Sequence, residues 1–284
     1  MPKNFPFYNP VEHQRIIHLL EARQPLAVLT ATGRNPELAG GVYPFPLIED
    51  GDFDTPSAYM TAEEGLCLAS HAGELVALDS RAWRIPAKGC NVIARRGGGA
   101  GRRVVFSAHI DAKLGTPGAL DNAAGVSVLL LLAELLQGYR GRTGVELLAF
   151  NGEDYYAAPG EIHYLHSQQG KLGNILLNIN LDAVGYRQGE SAYSLYGCPD
   201  DLSGVLRRSL SSHSGLVEGE PWYQGDHMVF VQNGVPALAI TSERFVELSA
   251  TITHTAKDLP ELVDPAILAG IARALSGLLN DLEV

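Results

Sequence analysis

The stretch Arg102–Gly125, R-R-V-V-F-S-A-H-I-D-A-K-L-G-T-P-G-A-L-D-N-A-A-G, decides how the chain is read. It opens as a short apolar strand through Val104, Val105 and Phe106 and ends on His109 and Asp111, two residues apart. Residues i and i+2 of a strand project to one face, so these two side chains belong together at the strand's carboxyl end. A Gly/Pro loop follows, and Asp121-Asn122 then opens a helix that is apolar from Val126 to Leu136. An imidazole and two carboxylates so placed suit metal ligation with a hydrogen-bonding partner. They equally suit an ordinary strand-end histidine followed by an aspartate that caps the next helix.

Working outward, N-V-I-A-R (91–95) predicts a strand, and R-R-G-G-G-A-G-R-R a hairpin-type turn into the strand at Val104. A phosphate-binding reading of those glycines fails, because a strand follows them and not a helix N-terminus. Downstream, V-E-L-L-A-F (145–150) and I-L-L-N-I-N-L-D-A-V (175–184) are continuous apolar strands of the kind buried on both faces. Further strands are expected at 192–198 and 236–241, and helices over 122–137, from about Gly160, over 199–213 and over 264–282, with a short one in Q-G-D-H-M-V-F. Strands alternating with helices imply an α/β protein: a three-layer αβα arrangement around a largely parallel, mixed central sheet.

The first 89 residues are less regular. An amphipathic helix is expected over 10–24, with apolar positions at 11, 16, 19 and 20. Residues 25–60 suggest short strands or an irregular edge, and Met60–Ala77 either a helix or two strands turning near His71-Ala72-Gly73. No linker divides the chain. It reads as a single catalytic domain, 1–284, whose motif-bearing core is 90–284 and whose residues 1–89 form an N-terminal helix with an irregular or insert segment. An apolar segment within 35–85 is a candidate interface between copies, and oligomeric state stays open.

Composition narrows the function classes. With 46% hydrophobic residues the chain has material for a large core. A formal charge of −11 and no long Lys/Arg run argue against a nucleic-acid surface. Cys67, Cys90 and Cys198 are scattered and odd in number, which fits a reducing compartment better than a disulfide framework or a thiolate metal site. The N-terminal M-P-K-N-F-P-F-Y-N-P lacks the apolar core of a signal peptide, and the longest apolar run is too short to span a bilayer. A cytoplasmic protein with no membrane partner is the expectation.

Three of the apolar strands end in acid: His109-x-Asp111, Asn151-Gly152-Glu153-Asp154, and Asn180-Leu181-Asp182. Ligands of open α/β sheets bind at the carboxyl edge of the strands, so these groups converge. T-I-T-H-T-A-K-D adds His254 from a loop after the last core strand, and Asp121 completes the set. Five carboxylates and two imidazoles together would repel by several kcal/mol without cations. Two divalent ions would offset most of that. Mixed imidazole and carboxylate ligation without thiolates suits zinc, with manganese or cobalt as alternatives.

In order and rough spacing, S-A-H-I-D, L-D-N-A-A-G, N-G-E-D, N-L-D-A-V-G, G-D-H-M-V-F and H-T-A-K-D resemble the motifs of the co-catalytic di-zinc aminopeptidases. That family includes bacterial leucyl aminopeptidases, glutamate carboxypeptidase II and the glutaminyl cyclases. The resemblance covers about residues 90–280 and implies the zinc-peptidase (phosphorylase/hydrolase-like) fold. It implies that His109 and Asp182 hold one zinc, Asp154 and His254 the other, and that Asp121 bridges them. It makes Glu153 the general base, has Asp111 hydrogen-bond and orient His109, and calls for a cis peptide at Asp121-Asn122. The chain departs from the family's frequent Glu-Glu pair in having Glu153-Asp154, a shorter carboxylate at one metal. Asp226-His227 matches a D-H motif near the substrate and is read as supporting or contacting it, against a helix-capping alternative.

The activity implied is removal of N-terminal residues from peptides with a free N-terminus. The alternatives are a glutaminyl-cyclase-like transferase, a carboxypeptidase with Arg187 or Arg244 receiving the substrate carboxylate, and a non-catalytic binding module. Glu161, His163 and His166 lack H-E-x-x-H spacing and read as a solvated helix face. Trp222 and Tyr223 suit either a pocket wall or packing.

Overall fold

The computed structural model describes residues 11–31, 55–79, 81, 85–97, 101–155, 158–168, 170–223 and 225–282. It divides into two compact units, Met1–Gly89 and Cys90–Val284. Residues 32–54, which include the apolar piece 41–48, fall outside the described residues; in the described part of 35–85, Leu66, Leu75, Val76, Leu78 and Ile85 are exposed.

In the first unit, helix α1 (Val11–Ala22) buries Ile17 and leaves Leu19 exposed, so the apolar stripe is rotated from the one expected. Strands β1 (Val28–Ala31) and β2 (Ser57–Met60) pair in parallel. Of the two readings of Met60–Ala77 the helix is found, over Ala62–Ala69 (α2). Thr61 caps it: the Thr61 hydroxyl accepts from the Glu64 N–H, and the Glu64 carboxylate accepts from the Thr61 N–H.

The second unit is a seven-stranded mixed sheet. Its strands are β3 (Val92–Arg96), β4 (Arg103–His109), β5 (Gly144–Phe150), β6 (Ile175–Leu181), β7 (Ser191–Tyr196), β8 (Leu216–Glu218) and β9 (Ala237–Ser242), in the order β3-β5-β4-β6-β9-β7-β8. The central four, β5, β4, β6 and β9, are parallel; β3 joins β5 and β7 joins β9 antiparallel. The expected hairpin between β3 and β4 does not form. The twice-buried strand β5 inserts between them, and β3 takes the edge beside β5.

Alternation along the strands sets two different faces. Val104, Phe106 and Ala108 of β4, Val145 and Ala149 of β5, Leu177, Ile179 and Leu181 of β6, and Leu238 and Ile240 of β9 form one apolar core. Helices α3 (Gly125–Leu135), α5 (Asp200–Ser211) and α8 (Pro265–Asp281) close over it with Val128, Leu132, Leu206, Leu210, Leu275 and Leu278. The opposite face carries Glu146, Ser107, His109, Asn178, Asn180 and Asp182. It packs against α4 (Pro159–Ser167) and α6 (His227–Val231) through the Phe150, Tyr164 and Phe230 rings. Two elements, β8 and α7 (Phe245–Thr251), were not expected from the sequence. Among the described residues no helix is long and apolar enough to cross a membrane.

Candidate metal centre

The polar face ends, at the carboxyl edge of the parallel strands, in the residues the sequence singled out. His109 is the last residue of β4, Asp182 follows β6, and Glu153 and Asp154 lie in a 3-10 turn after β5. Asp121 sits in an irregular turn before α3, whose Asp121-Asn122 peptide is cis, as the resemblance implies. Asn122 secures that turn from both ends: its Oδ1 accepts from the Gly125 N–H and its Nδ2 donates to the Leu181 carbonyl. His254 follows α7 with φ of 61°, a left-handed conformation uncommon outside glycine.

The side chains converge on Asp121. Its Oδ1 lies 3.0 Å from His109 Nε2 and its Oδ2 lies 3.1 Å from His254 Nε2. Asp182 approaches His109 Nε2 at 3.6 Å, and Asp154 approaches His254 Nε2 at 2.8 Å. Two donor groups share Asp121, His109–Asp121–Asp182 and Asp121–Asp154–His254, each with ligand atoms within 4.8 Å of one another; a third grouping, His109–Asp111–Asp154, meets the same distance. Oδ2 of Asp154 is buried and receives no hydrogen bond. Acceptor oxygens and imidazole nitrogens held together with one oxygen atom unused fit divalent cations of the zinc type.

Without cations the charges lean on one another. Burial opposes charge on His109 and His254, but the surrounding carboxylates outweigh it and raise both, His254 to about 10. Asp121 is held far below the carboxylate range, its burial overcome by hydrogen bonds from both imidazoles. Asp154 and Asp182 move up, chiefly through burial.

Glu153 is buried, with Oε2 4.0 Å from His109 Nε2. Asp111 orients this region differently from the expected way. His109 Nδ1 meets the Asp111 main-chain carbonyl at 3.0 Å, while the carboxylate is 3.9 Å off. The Asp111 carboxylate instead accepts the N–H groups of Gly152 (2.7 Å), Glu153 (3.2 Å) and Asp154 (3.1 Å). Three successive N–H donors occupy most of that carboxylate's acceptor sites and place the Glu153-Asp154 turn directly.

Asp226 occupies the N-cap position of α6 but makes no side-chain cap hydrogen bond, so capping does not explain it. His227 is fully buried between the Tyr196 and Trp222 rings, and its Nε2 donates to the Trp222 carbonyl at 3.0 Å. Burial lowers it to about 4, a neutral imidazole. Trp222 is buried in that cluster and Tyr223 is exposed beside Tyr196. Arg244 pairs with Glu247 and Gln188, and Arg187 donates to the Glu261 carbonyl.

Sequence reasoning missed two residues. Asp258 lies within the quoted H-T-A-K-D motif. It is buried, and its carboxylate accepts the N–H groups of Leu120 and Asp121, fixing the turn that presents Asp121. Glu161, expected on a solvated face, is fully buried, whereas His163 and His166 are exposed as expected. The spacing of Glu161, Tyr164 and Gln168 on the inward stripe of α4 was the available signal.

A mixed α/β sheet with imidazoles and carboxylates gathered at its carboxyl edge around one shared aspartate has the architecture of the co-catalytic zinc peptidases. More narrowly, residues 91–279 match the model of peptidase family M28, and the chain belongs to that family. It is 35% identical over 94 residues to aminopeptidase YwaD of Bacillus subtilis, covering 33% of this chain and 20% of that protein. It is 26% identical over 196 residues to the uncharacterized protein YfbL of Escherichia coli, covering 55% and 60%. The chain thus spans a fifth and three fifths of the lengths of these two relatives. Among solved structures, an aminopeptidase from Aneurinibacillus sp. strain AM-1 superposes with TM-score 0.68 at 22% identity, over 97% of this chain and 66% of that one. Porphyromonas gingivalis glutaminyl cyclase gives 0.58 at 23% identity, over 68% and 76%.

Proposed function

We propose that the chain is a metal-dependent aminopeptidase that acts in the cytoplasm on peptides with a free N-terminus. Its catalytic core would be residues 90–284, with residues 1–89 as part of the same catalytic domain. The observation that carries the reading is the sharing of Asp121 between two complete donor triads, with the Glu153 carboxylate beside them. His109, Asp121 and Asp182 would hold one divalent ion, and Asp121, Asp154 and His254 the second, zinc being the best match to the donors. Bound there, the ions supply Lewis acidity, polarising a carbonyl and lowering the pKa of a water.

The chain's own groups account for the remainder. Asp111 and Asp258 fix the two turns that present Glu153, Asp154 and Asp121. Glu153 takes the proton of the attacking water and returns it to the departing amine. The engagement of Arg244 with Glu247 and of Arg187 with a main-chain carbonyl speaks against the carboxypeptidase alternative.

The test is hydrolysis of aminoacyl-p-nitroanilides beside N-acetylated controls, as zinc-loaded protein, after chelation, and in Glu153→Gln. Release from free amines only is expected, abolished by chelation and lowered about 10²–10⁴-fold in the variant. No release with zinc content verified overturns the reading. Cyclisation of N-terminal glutamine without hydrolysis would replace it by the transferase.

A further inference from the structure

Glu161 lies in the first turn of α4 and Asp226 just before α6, and neither has appreciable exposed surface. No N–H or O–H of another described residue donates to either carboxylate, yet the two side chains face each other within hydrogen-bonding reach. Two ionised carboxylates cannot hydrogen-bond, because each only accepts. Two like charges that close in a buried setting are also strongly unfavourable. One proton held between them resolves both difficulties, giving a charge-assisted O–H···O⁻ bond.

The electrostatics agree with this geometry. Burial raises Glu161 to about 7, although its hydrogen bond with Asp226 pulls the other way. Burial, then the charges of Glu161 and Glu153, raise Asp226 well above the carboxylate range, as expected where one proton serves the two carboxyl groups.

The pair also sits where it can matter. Asp226 feels Glu153 and His109, and Glu161 feels Asp111 and His109. Gly225, next in chain to Asp226, is so close to the centre that a Cβ there would lie 3.4 Å from Asp182 Oδ2. A helix that needed only to pack would bury an apolar side chain at position 161 at lower cost.

We propose that Glu161 is a positioning residue of this centre, and that Glu161 and Asp226 act as one proton-sharing unit that fixes Asp226 behind Glu153. The kinetic consequences rest on the peptidase reading; the shared proton does not.

The experiment uses the zinc-loaded full chain. Near neutral pH, the infrared difference spectrum of wild type minus Asp226→Asn should contain a protonated-carboxyl C=O stretch, and that band should shift in Glu161→Gln. Its absence would mean two ionised carboxylates and would overturn the proposal. In peptide hydrolysis, Glu161→Ala should lower kcat about 10-fold at unchanged zinc content, with KM within about 2-fold of wild type. Glu161→Gln, which restores a partner of the same shape, should recover most of the loss. The Glu161→Ala/Asp226→Ala double variant should be no slower than the slower single variant. Wild-type kcat in folded, zinc-loaded Glu161→Ala, or strict additivity in the double variant, would refute a positioning role. If alanine prevents folding, Glu161→Gln and Asp226→Asn form the cycle instead. If wild type hydrolyses no peptide, the aminopeptidase reading fails, and the infrared bands still decide whether the pair holds a proton.

Discussion

The two faces of the central sheet are made from the same strands and differ in almost everything else. On the face under α3, α5 and α8, Val104, Phe106, Leu177, Ile179 and Leu238 pack together in one apolar core. On the face under α4 and α6, the intervening residues include Ser107, Asn178 and Asn180, fully buried and hydrogen-bonded to one another. Glu146 on that face receives Tyr164 Oη at 2.6 Å and the Nε of Arg95 at 2.7 Å. The first face contributes stability in the ordinary way, about 1.5–3 kcal/mol for each large apolar side chain buried. The second gives up part of that gain and in exchange aims side chains with few alternative partners toward the carboxyl edge. One face holds the sheet; the other orders the centre.

If that division is right, the faces should respond differently to truncation. Leu132 on α3 is fully buried in the apolar core. Leu132→Ala should lower unfolding free energy by about 2–5 kcal/mol. It should leave kcat per folded, zinc-loaded molecule as it was. Urea unfolding read beside initial rates checks both halves. A loss of kcat comparable to that of a polar-face variant would break the comparison.

Much of this was legible in the sequence because the two periodicities differ. The i, i+2 spacing of His109 and Asp111, and strands ending in Glu153-Asp154 and Asp182, announce a carboxyl-edge cluster without knowledge of the fold. The seven-stranded order was less accessible, since β3 and β4 are close in sequence but separated by β5 in the sheet, and only tertiary pairing decides that. Short elements such as β8, three residues long, carry too little pattern to stand out. Glu161 escaped because residue type suggested solvent while the spacing with Tyr164 pointed inward. The job of Asp111 escaped for a different reason: three main-chain N–H donors leave no trace in side-chain identity.

The polar face should also reveal itself through pH. His227 titrates at about 4 when folded, against 6.5 when free, because burial disfavours the imidazolium. Between those values the unfolded chain binds a proton that the folded one does not. This contribution is therefore complete above pH 6.5 and lost as pH falls toward 4, by at most about 3 kcal/mol. Unfolding at pH 7 and pH 4.5, in wild type and His227→Gln, isolates it as the difference between two slopes. Equal slopes would show that the imidazole is not held neutral, and that part of the polar face would be open to water.

The smallest effect should come from the margin of the same face. Glu146 is fully buried, but its two arginines are not equivalent: Arg103 is 15% exposed and Arg95 is 59% exposed. Hydrogen bonding to Glu146 raises the Arg95 guanidinium, yet water reaches it and screens the pair. Removing Arg95 leaves Glu146 with Tyr164 and, 3.2 Å away, the Nε of Arg103. Arg95→Ala should therefore cost about 1 kcal/mol or less, and added salt should shrink the difference further. Urea unfolding at low and high ionic strength measures both numbers. A loss of several kcal/mol, insensitive to salt, would mean that Arg103 cannot hold the buried carboxylate alone. The polar face would then extend to the edge strand β3 instead of ending at β5.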